Sequence, residues 1–277
     1  MDPVDGTFDH FVLTRFNVRM ETYPHASSDE WLRERLDLFR RFCLPCVEAQ
    51  TSKDFRWLLF FDAGSPAWFR KEIGELESER ILPVWVEGFF VADVVRTALQ
   101  PLLTGSHVIT TRLDNDDAVA FDFVERIQHE FRSQALEFVN LVDGTQLSNR
   151  KVYLRPYTRN PFISLIEAAT DEPLKTVFAT RHFAVEELAP VHNVKTPHPM
   201  WLQVIHDDNT LNEVVGLRTR GSRVQPYFAC DLRVLEHVPG YYAERLRGTM
   251  RIGLRLLTKP ARVVDLVQTV LAERSRS

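Results

Sequence analysis

At 277 residues, with 44% hydrophobic and 26% charged residues, the chain can bury a sizeable core and is neither disordered nor fibrous. A net charge of −4 is too mild for a nucleic-acid-binding protein, and no apolar run approaches the roughly 20 residues that cross a bilayer. Three cysteines, Cys43, Cys46 and Cys230, and an N-terminus with Asp2 and Asp5 but no signal-peptide pattern predict a cytoplasmic protein without disulfides.

Phe8 to Asn17 reads as a buried strand, with Phe11, Val12 and Leu13 together and the polar turn Thr14-Arg15-Phe16-Asn17 at its end. A helix follows: Ser27-Ser28-Asp29-Glu30 has capping-box spacing, and Leu32, Leu36, Phe39 and Cys43 recur at helical intervals. Cys43 and Cys46 have the two-residue spacing of redox and zinc sites, yet they follow several helical turns and lack a second pair, so buried packing is the expectation. The apolar segment from Phe55 to Phe61 predicts the second strand, closed by Asp62-Ala63-Gly64-Ser65-Pro66, with a helix near 68–79. A third strand is predicted over Ile81 to Val86 and a third helix over Val91 to Leu103. His107 to Leu113 is a fourth strand that runs into Asp114-Asn115-Asp116-Asp117, and helical periodicity resumes over 121–131. Strands and helices alternating at these lengths predict a largely parallel sheet covered on both faces.

Beyond residue 135 the alternation weakens to two strands, Glu137 to Val142 and Lys151 to Tyr157, around a turn at Asp143-Gly144, followed by Pro-rich stretches. The last 30 or so residues read as helical, interrupted at Pro260. The expected organisation is a catalytic domain over 1–210 and a mainly helical extension over 211–277, with a soft boundary. From Glu244 onward the charge is +5, against −9 for the rest. That asymmetry suits either a solvated helical face or peripheral contact with an acidic membrane, at its inner surface in a cytoplasmic protein.

Ligands of open α/β sheets bind at the carboxyl ends of the strands, where Arg15, Asn17, Asp62 and the acidic quartet all fall. Three carboxylates within four residues repel one another unless a cation neutralises them, and a hard metal that keeps waters and bridges diphosphate oxygens suits them. Mg²⁺ and Mn²⁺ are the candidates. Helix capping would account for Asp116 or Asp117 alone.

At this point the sequence resembles the nucleotide-sugar glycosyltransferases of A-type fold, a Rossmann-like α/β fold with a mixed, mostly parallel central sheet. Their first strand ends in Pro-Thr-Tyr-Asn, where Thr14-Arg15-Phe16-Asn17 stands here; the second ends in Asp-Asp-Gly-Ser, where Asp62-Ala63-Gly64-Ser65 stands; the fourth ends in Leu-Asp-Ser-Asp-Asp, where Leu113-Asp114-Asn115-Asp116-Asp117 stands. Over most of the first 210 residues it also resembles the bacterial rhamnosyltransferase family, through Arg112 to Asp117, Asn160-Pro161-Phe162 and Trp201-Leu202-Gln203-Val204-Ile205-His206.

The resemblance implies a nucleoside-diphosphate sugar donor and a glycan or glycolipid acceptor. It places Thr14, Arg15, Asn17, Asp62, Arg112 and Asp114 in donor binding, with Asp62 on the base and Asp114 on the ribose or metal-bound waters. It gives Asp116 and His206 to Mn²⁺ or Mg²⁺. The family's carboxylate base has no clean counterpart; Glu167, Asp171 and Asp207 are the candidates, and Asp207, beside His206, ranks first. Two other readings stand beside this one: a nucleotidyltransferase, disfavoured because Thr14 to Met20 contains no glycine, and a non-catalytic nucleotide-sugar-binding protein.

Overall fold

A computed structural model describes residues 6–23, 25–206, 214–233 and 240–258. Its core is a seven-stranded sheet in the order β10-β6-β9-β4-β1-β2-β3. β1 (Phe8–Arg15) lies between β2 (Arg56–Asp62) and β4 (His107–Arg112), parallel to both, and β3 (Ile81–Val86) extends the parallel run beyond β2. β9 (Ser164–Ala168) is the one reversed strand, antiparallel to β4 and to β6 (Leu136–Leu141), and β10 (Val191–Val194) closes the edge parallel to β6. In β2 every residue after Arg56 is buried, as a central strand covered on both faces requires.

Successive side chains of a strand point to opposite faces, so each strand feeds two cores. Val12, Trp57, Leu59 and Phe61 pack under α1 (Asp29–Leu38), α2 (Leu44–Glu48), α3 (Ala67–Gly74) and α5 (Phe123–His129). Phe11, Leu13, Leu58 and Phe60 pack under α4 (Ala92–Leu99) and the segment that supplies Leu174, Val177 and Val185.

The predicted cap of α1 is present: Ser28 Oγ accepts from the Trp31 amide at 3.2 Å. The helical run to Cys43 is there, but it widens into a π-helical turn over Phe39–Cys43, where the Leu44 amide reaches the Phe39 carbonyl. Pro45, next in line, has no amide to donate, and the widened turn relieves the ladder there. Phe39, Phe42 and Cys43 all face inward as a result.

The second half departs from the sequence expectation. Asp143-Gly144 is not a hairpin turn; Gly144 opens β7 (Gly144–Ser148), which leaves the main sheet for a second one. The hairpin turn is five residues on, at Asn149 and Arg150, both with positive φ (49° and 59°), and joins β7 to β8 (Lys151–Leu154). The second sheet runs β12-β8-β7-β11-β5, with β5 (Ala118–Val119), β11 (Trp201–Ile205) and β12 (Leu217–Thr219). Gly144 is required because an added Cβ would lie 2.0 Å from the buried Trp201 ring. α6 (Tyr241–Thr258) then lies against β12. The predicted helical stretch beyond Thr258 falls outside the described residues.

Candidate active site

The four parallel strands β1 to β4 end on one edge, and the end of β1 turns there first. Asn17 reaches across to the end of β2, its amide nitrogen donating to Ser65 Oγ at 2.9 Å and its side-chain oxygen accepting from the Asp62 amide at 3.2 Å. Asp62 is buried; one carboxylate oxygen accepts from the Gly64 amide at 3.0 Å and the other lies 3.2 Å from Arg19 Nε. Thr14 is different. Its hydroxyl accepts from Trp57 Nε1 at 2.9 Å inside the core, and its side chain shows no exposed surface to a ligand.

β4 delivers the acidic quartet, and its members have separate partners. Arg112 forks onto Asp114, Nη2 lying 3.0 and 3.2 Å from the two carboxylate oxygens. Burial works to raise the Asp114 carboxyl, but Arg112 and Arg15 outweigh it and hold it below the ordinary carboxylate value. Asn115 points back and donates to the Phe16 carbonyl at 3.2 Å. Asp117 accepts from the Val204 amide at 2.8 Å; burial, followed by the charges of Asp116 and Asp114, pushes it well above the ordinary value. Cys43 supports this turn from below, its thiol donating to the Asp114 carbonyl at 3.7 Å. All three cysteines are buried and free.

Asp116 and His206 come together. β5 leaves the quartet antiparallel to β11, pairing Ala118 with Leu202 and Val119 with Trp201, so the residue after β11 returns to the residue before Asp117. His206 Nε2 lies 2.8 Å from Asp116 Oδ2. In one tautomer Nε2 donates to that carboxylate, and in the other its lone pair is free for a cation at the same point. Asp207 falls outside the described residues.

Sequence reasoning missed Arg35. It projects from α1, and its Nη1 is 2.5 Å from Asp116 Oδ2 and 3.4 Å from His206 Nε2. Its guanidinium also lies 5.1 Å from the Trp31 ring, one turn back, and that i, i+4 pair is the only local signal a sequence reader could have used.

A positive wall completes the edge. The Arg15 guanidinium sits 4.8 Å from the Phe178 ring; burial, then the charge of Arg112, depresses its pKa. His182, whose ring is bound to the Arg159 carbonyl at 2.7 Å, is held toward its neutral form by burial first and also by Arg112 and Arg155. Arg155 donates to Gln203 on β11 at 2.8 Å. The repulsion assumed for three close aspartates is thus met from within at two of them, Asp114 by Arg112 and Asp116 by Arg35, and persists at the third, where with burial it holds Asp117 toward its protonated form.

Other residues singled out in the sequence lie elsewhere. Glu167 accepts from the Lys175 and Thr176 amides, both at 2.8 Å, and so clamps a loop; Asp171 is in an exposed bend. His198 stacks on Tyr227 at 4.2 Å and lies 3.2 Å from Asp122, at the far end of β5 from Asp116. Trp201 is a core residue, stacked on Phe162 and donating to the Leu141 carbonyl at 2.9 Å. A cavity of about 420 Å³, lined by Asp9, His10, Lys53, Arg56, Glu79 and Arg80, opens at the opposite, amino-terminal edge of the strands and contains none of the predicted site residues.

Could these side chains hold a metal? Among the described residues no group of three carboxylates, imidazoles or thiols is poised for one, but Asp116 and His206 converge on a point. A hard divalent ion that retains waters and takes phosphate oxygens needs no more than one or two protein ligands, so the pair would serve, Mn²⁺ better than Mg²⁺ because of the imidazole, once Arg35 leaves the Asp116 oxygen it now holds.

Residues 19–218 match the model of the family described as "Putative rhamnosyl transferase", a span that includes Asp62, the acidic quartet and His206. The chain belongs to that family. Its mostly parallel sheet with one reversed strand is the mixed α/β sheet expected of the A-type fold. No curated protein matches it. Among solved structures, S. aureus TarS 1-349 in complex with UDP is similar at 9% identity and a TM-score of 0.40, over 71% of this chain and 60% of that one. A "putative nucleotide-diphospho-sugar transferase" from Desulfovibrio desulfuricans G20 is similar at 8% identity and a TM-score of 0.39, over 72% and 82%. The inositol-1-phosphate CTP transferase from T. maritima is similar at 9% identity and a TM-score of 0.35, over 73% and 91%. The chain thus spans less than two thirds of the TarS structure.

Proposed function

We propose that this protein is a glycosyltransferase that moves a sugar, rhamnose in the family's description, from a nucleoside-diphosphate donor to a hydroxyl of a glycan or glycolipid. The donor diphosphate lies along the Asp114–Asp117 turn. The observation that carries the reading is the meeting of Asp116, His206 and Arg35 at the carboxyl edge of the sheet, beside Arg15, Arg112 and Arg155.

The reaction breaks the bond between the anomeric carbon and the diphosphate oxygen and forms one to the acceptor oxygen. The diphosphate leaves with the electron pair, and the acceptor proton passes to a base. Arg15 and Arg112 face the developing negative charge, and guanidinium groups grip phosphate oxygens two at a time. Asp116 and His206 would hold Mn²⁺ or Mg²⁺, which supplies further charge stabilisation to the leaving group. Asp62, held between Arg19 and the Gly64 amide, presents a fixed carboxylate to the nucleoside base. Asp207 follows His206 directly and is the residue we assign as base. A nucleotidyl transfer would call for a glycine-rich phosphate loop after β1, and residues 16–20 contain no glycine.

The test is thermal stabilisation by a panel of nucleoside diphosphates with and without Mn²⁺. At about a hundredfold excess over Kd a ligand contributes roughly 2.7 kcal/mol, or about 5 °C in a chain this long. One base should stabilise the wild type with metal and leave Asp116→Ala unmoved. No response from a folded wild type to any of them would sink the proposal.

A further inference from the structure

α6 contacts the second sheet through one face. Glu244 accepts from Lys151 Nζ at 2.6 Å and lies 3.7 Å from Arg218 Nε, while Arg245 donates to the Arg218 carbonyl at 3.3 Å. The opposite face is open. Tyr242, Leu246 and Met250 are 75%, 56% and 58% exposed, and their four-residue spacing sets them on successive turns as one apolar ladder. Exposed apolar residues scattered singly need no explanation, but a ladder on one helix face does.

The charge chooses the partner. From Tyr241 to Thr258 the sequence has four arginines and one acid, Glu244, and that acid is neutralised by Lys151. Arg247 is exposed next to the ladder. A symmetric dimer through this face would bring the Arg247 side chains of the two copies toward one seam, which disfavours a second copy. An anionic surface meets both features, and the helix is not apolar enough to cross a bilayer.

We propose that α6 docks on the surface of an anionic bilayer, with Tyr242, Leu246 and Met250 in the headgroup–acyl boundary and Arg247 against lipid phosphates. The docking stands on the helix alone. Its consequence, that the acceptor hydroxyl is carried at a membrane surface, rests on the glycosyltransferase reading above.

The experiment is co-sedimentation of the full chain with phosphatidylcholine vesicles, plain or one-third phosphatidylglycerol. Wild type should pellet with the anionic vesicles and bind plain ones at least about tenfold more weakly. Leu246→Glu with Met250→Glu should cost at least about tenfold, and Arg247→Gln about fivefold. These positions are exposed, so circular dichroism and melting should match wild type. Three results overturn the proposal: wild type that does not pellet, pelleting equal on both vesicles, or pelleting unchanged by the two glutamates. A wild-type dimer that the glutamates dissociate would assign the ladder to a second copy and overturn it as well. Nucleoside diphosphate binding, measured in parallel, tells failure here from failure of the donor-site reading.

Discussion

Replacing Arg35 with Met removes the internal counter-ion of Asp116 while keeping an unbranched side chain beside Trp31. The two charged side chains are 12% and 10% exposed at a separation of 2.5 Å, so the pair is largely withdrawn from water. Removing one partner of a buried pair costs about 3–5 kcal/mol, because the other charge stays behind uncompensated. His206 on the same oxygen and the residual exposure favour the lower end, about 3 kcal/mol, or roughly 5 °C in Tm for a chain this long. A metal on Asp116 would supply the missing positive charge, so with saturating Mn²⁺ the loss should fall to about 1 kcal/mol. By linkage the difference of about 2 kcal/mol is Mn²⁺ binding about thirtyfold tighter in Arg35→Met than in wild type. Urea unfolding in EDTA and in Mn²⁺, with Mn²⁺ titration of both chains, measures each quantity. A variant within about 0.5 kcal/mol of wild type in EDTA would refute the counter-ion argument. An equal loss in both buffers would leave Arg35 as a structural partner and remove Asp116 as a metal ligand.

Gly144→Ala would drive a Cβ to 2.0 Å from the Trp201 ring, which is fixed by Phe162 and the Leu141 carbonyl, so unfolding free energy should fall by about 3 kcal/mol or more. Retention of the wild-type urea midpoint would contradict this close approach. His10 is buried on β1 with its pKa pushed by burial to about 3 from an ordinary 6.5, so below pH 6.5 the unfolded chain takes up a proton that the folded chain refuses. Stability should therefore decline as pH falls, by about 2 kcal/mol from this group at pH 5, and His10→Gln should flatten that limb. Parallel pH profiles of the two chains would show that the decline has another source. Asp207→Asn should cut turnover by about 10²–10⁴-fold while leaving nucleoside diphosphate binding intact; unchanged turnover would move the base elsewhere.

Sequence alone determined whatever depends on neighbours along the chain. Ile81 to Val86 reads as a strand and is β3, and the alternation of apolar strands with capped, amphipathic helices specifies the parallel sheet through β4. It also set the polar strand ends on one edge, because parallel strands must share their carboxyl side. Tertiary structure decided what depends on pairing at long range. Gly144 sits in a polar turn dipeptide, but the space it must leave is for Trp201, 57 residues on, and so it begins a strand that crosses to a second sheet. The Cys43-x-x-Cys46 pair packs in the core, one thiol bracing the Asp114 carbonyl. Thr14 lies within a strand-end motif yet serves Trp57 in the core, since strand alternation turns it inward. The acidic quartet was legible; its neutralisation was not, because Arg35 and His206 reach Asp116 from 81 and 90 residues away, one by packing of α1 and the other by the β5–β11 pairing. A charge pattern in the sequence reports which groups must be compensated, and only the packed chain decides which partner does it.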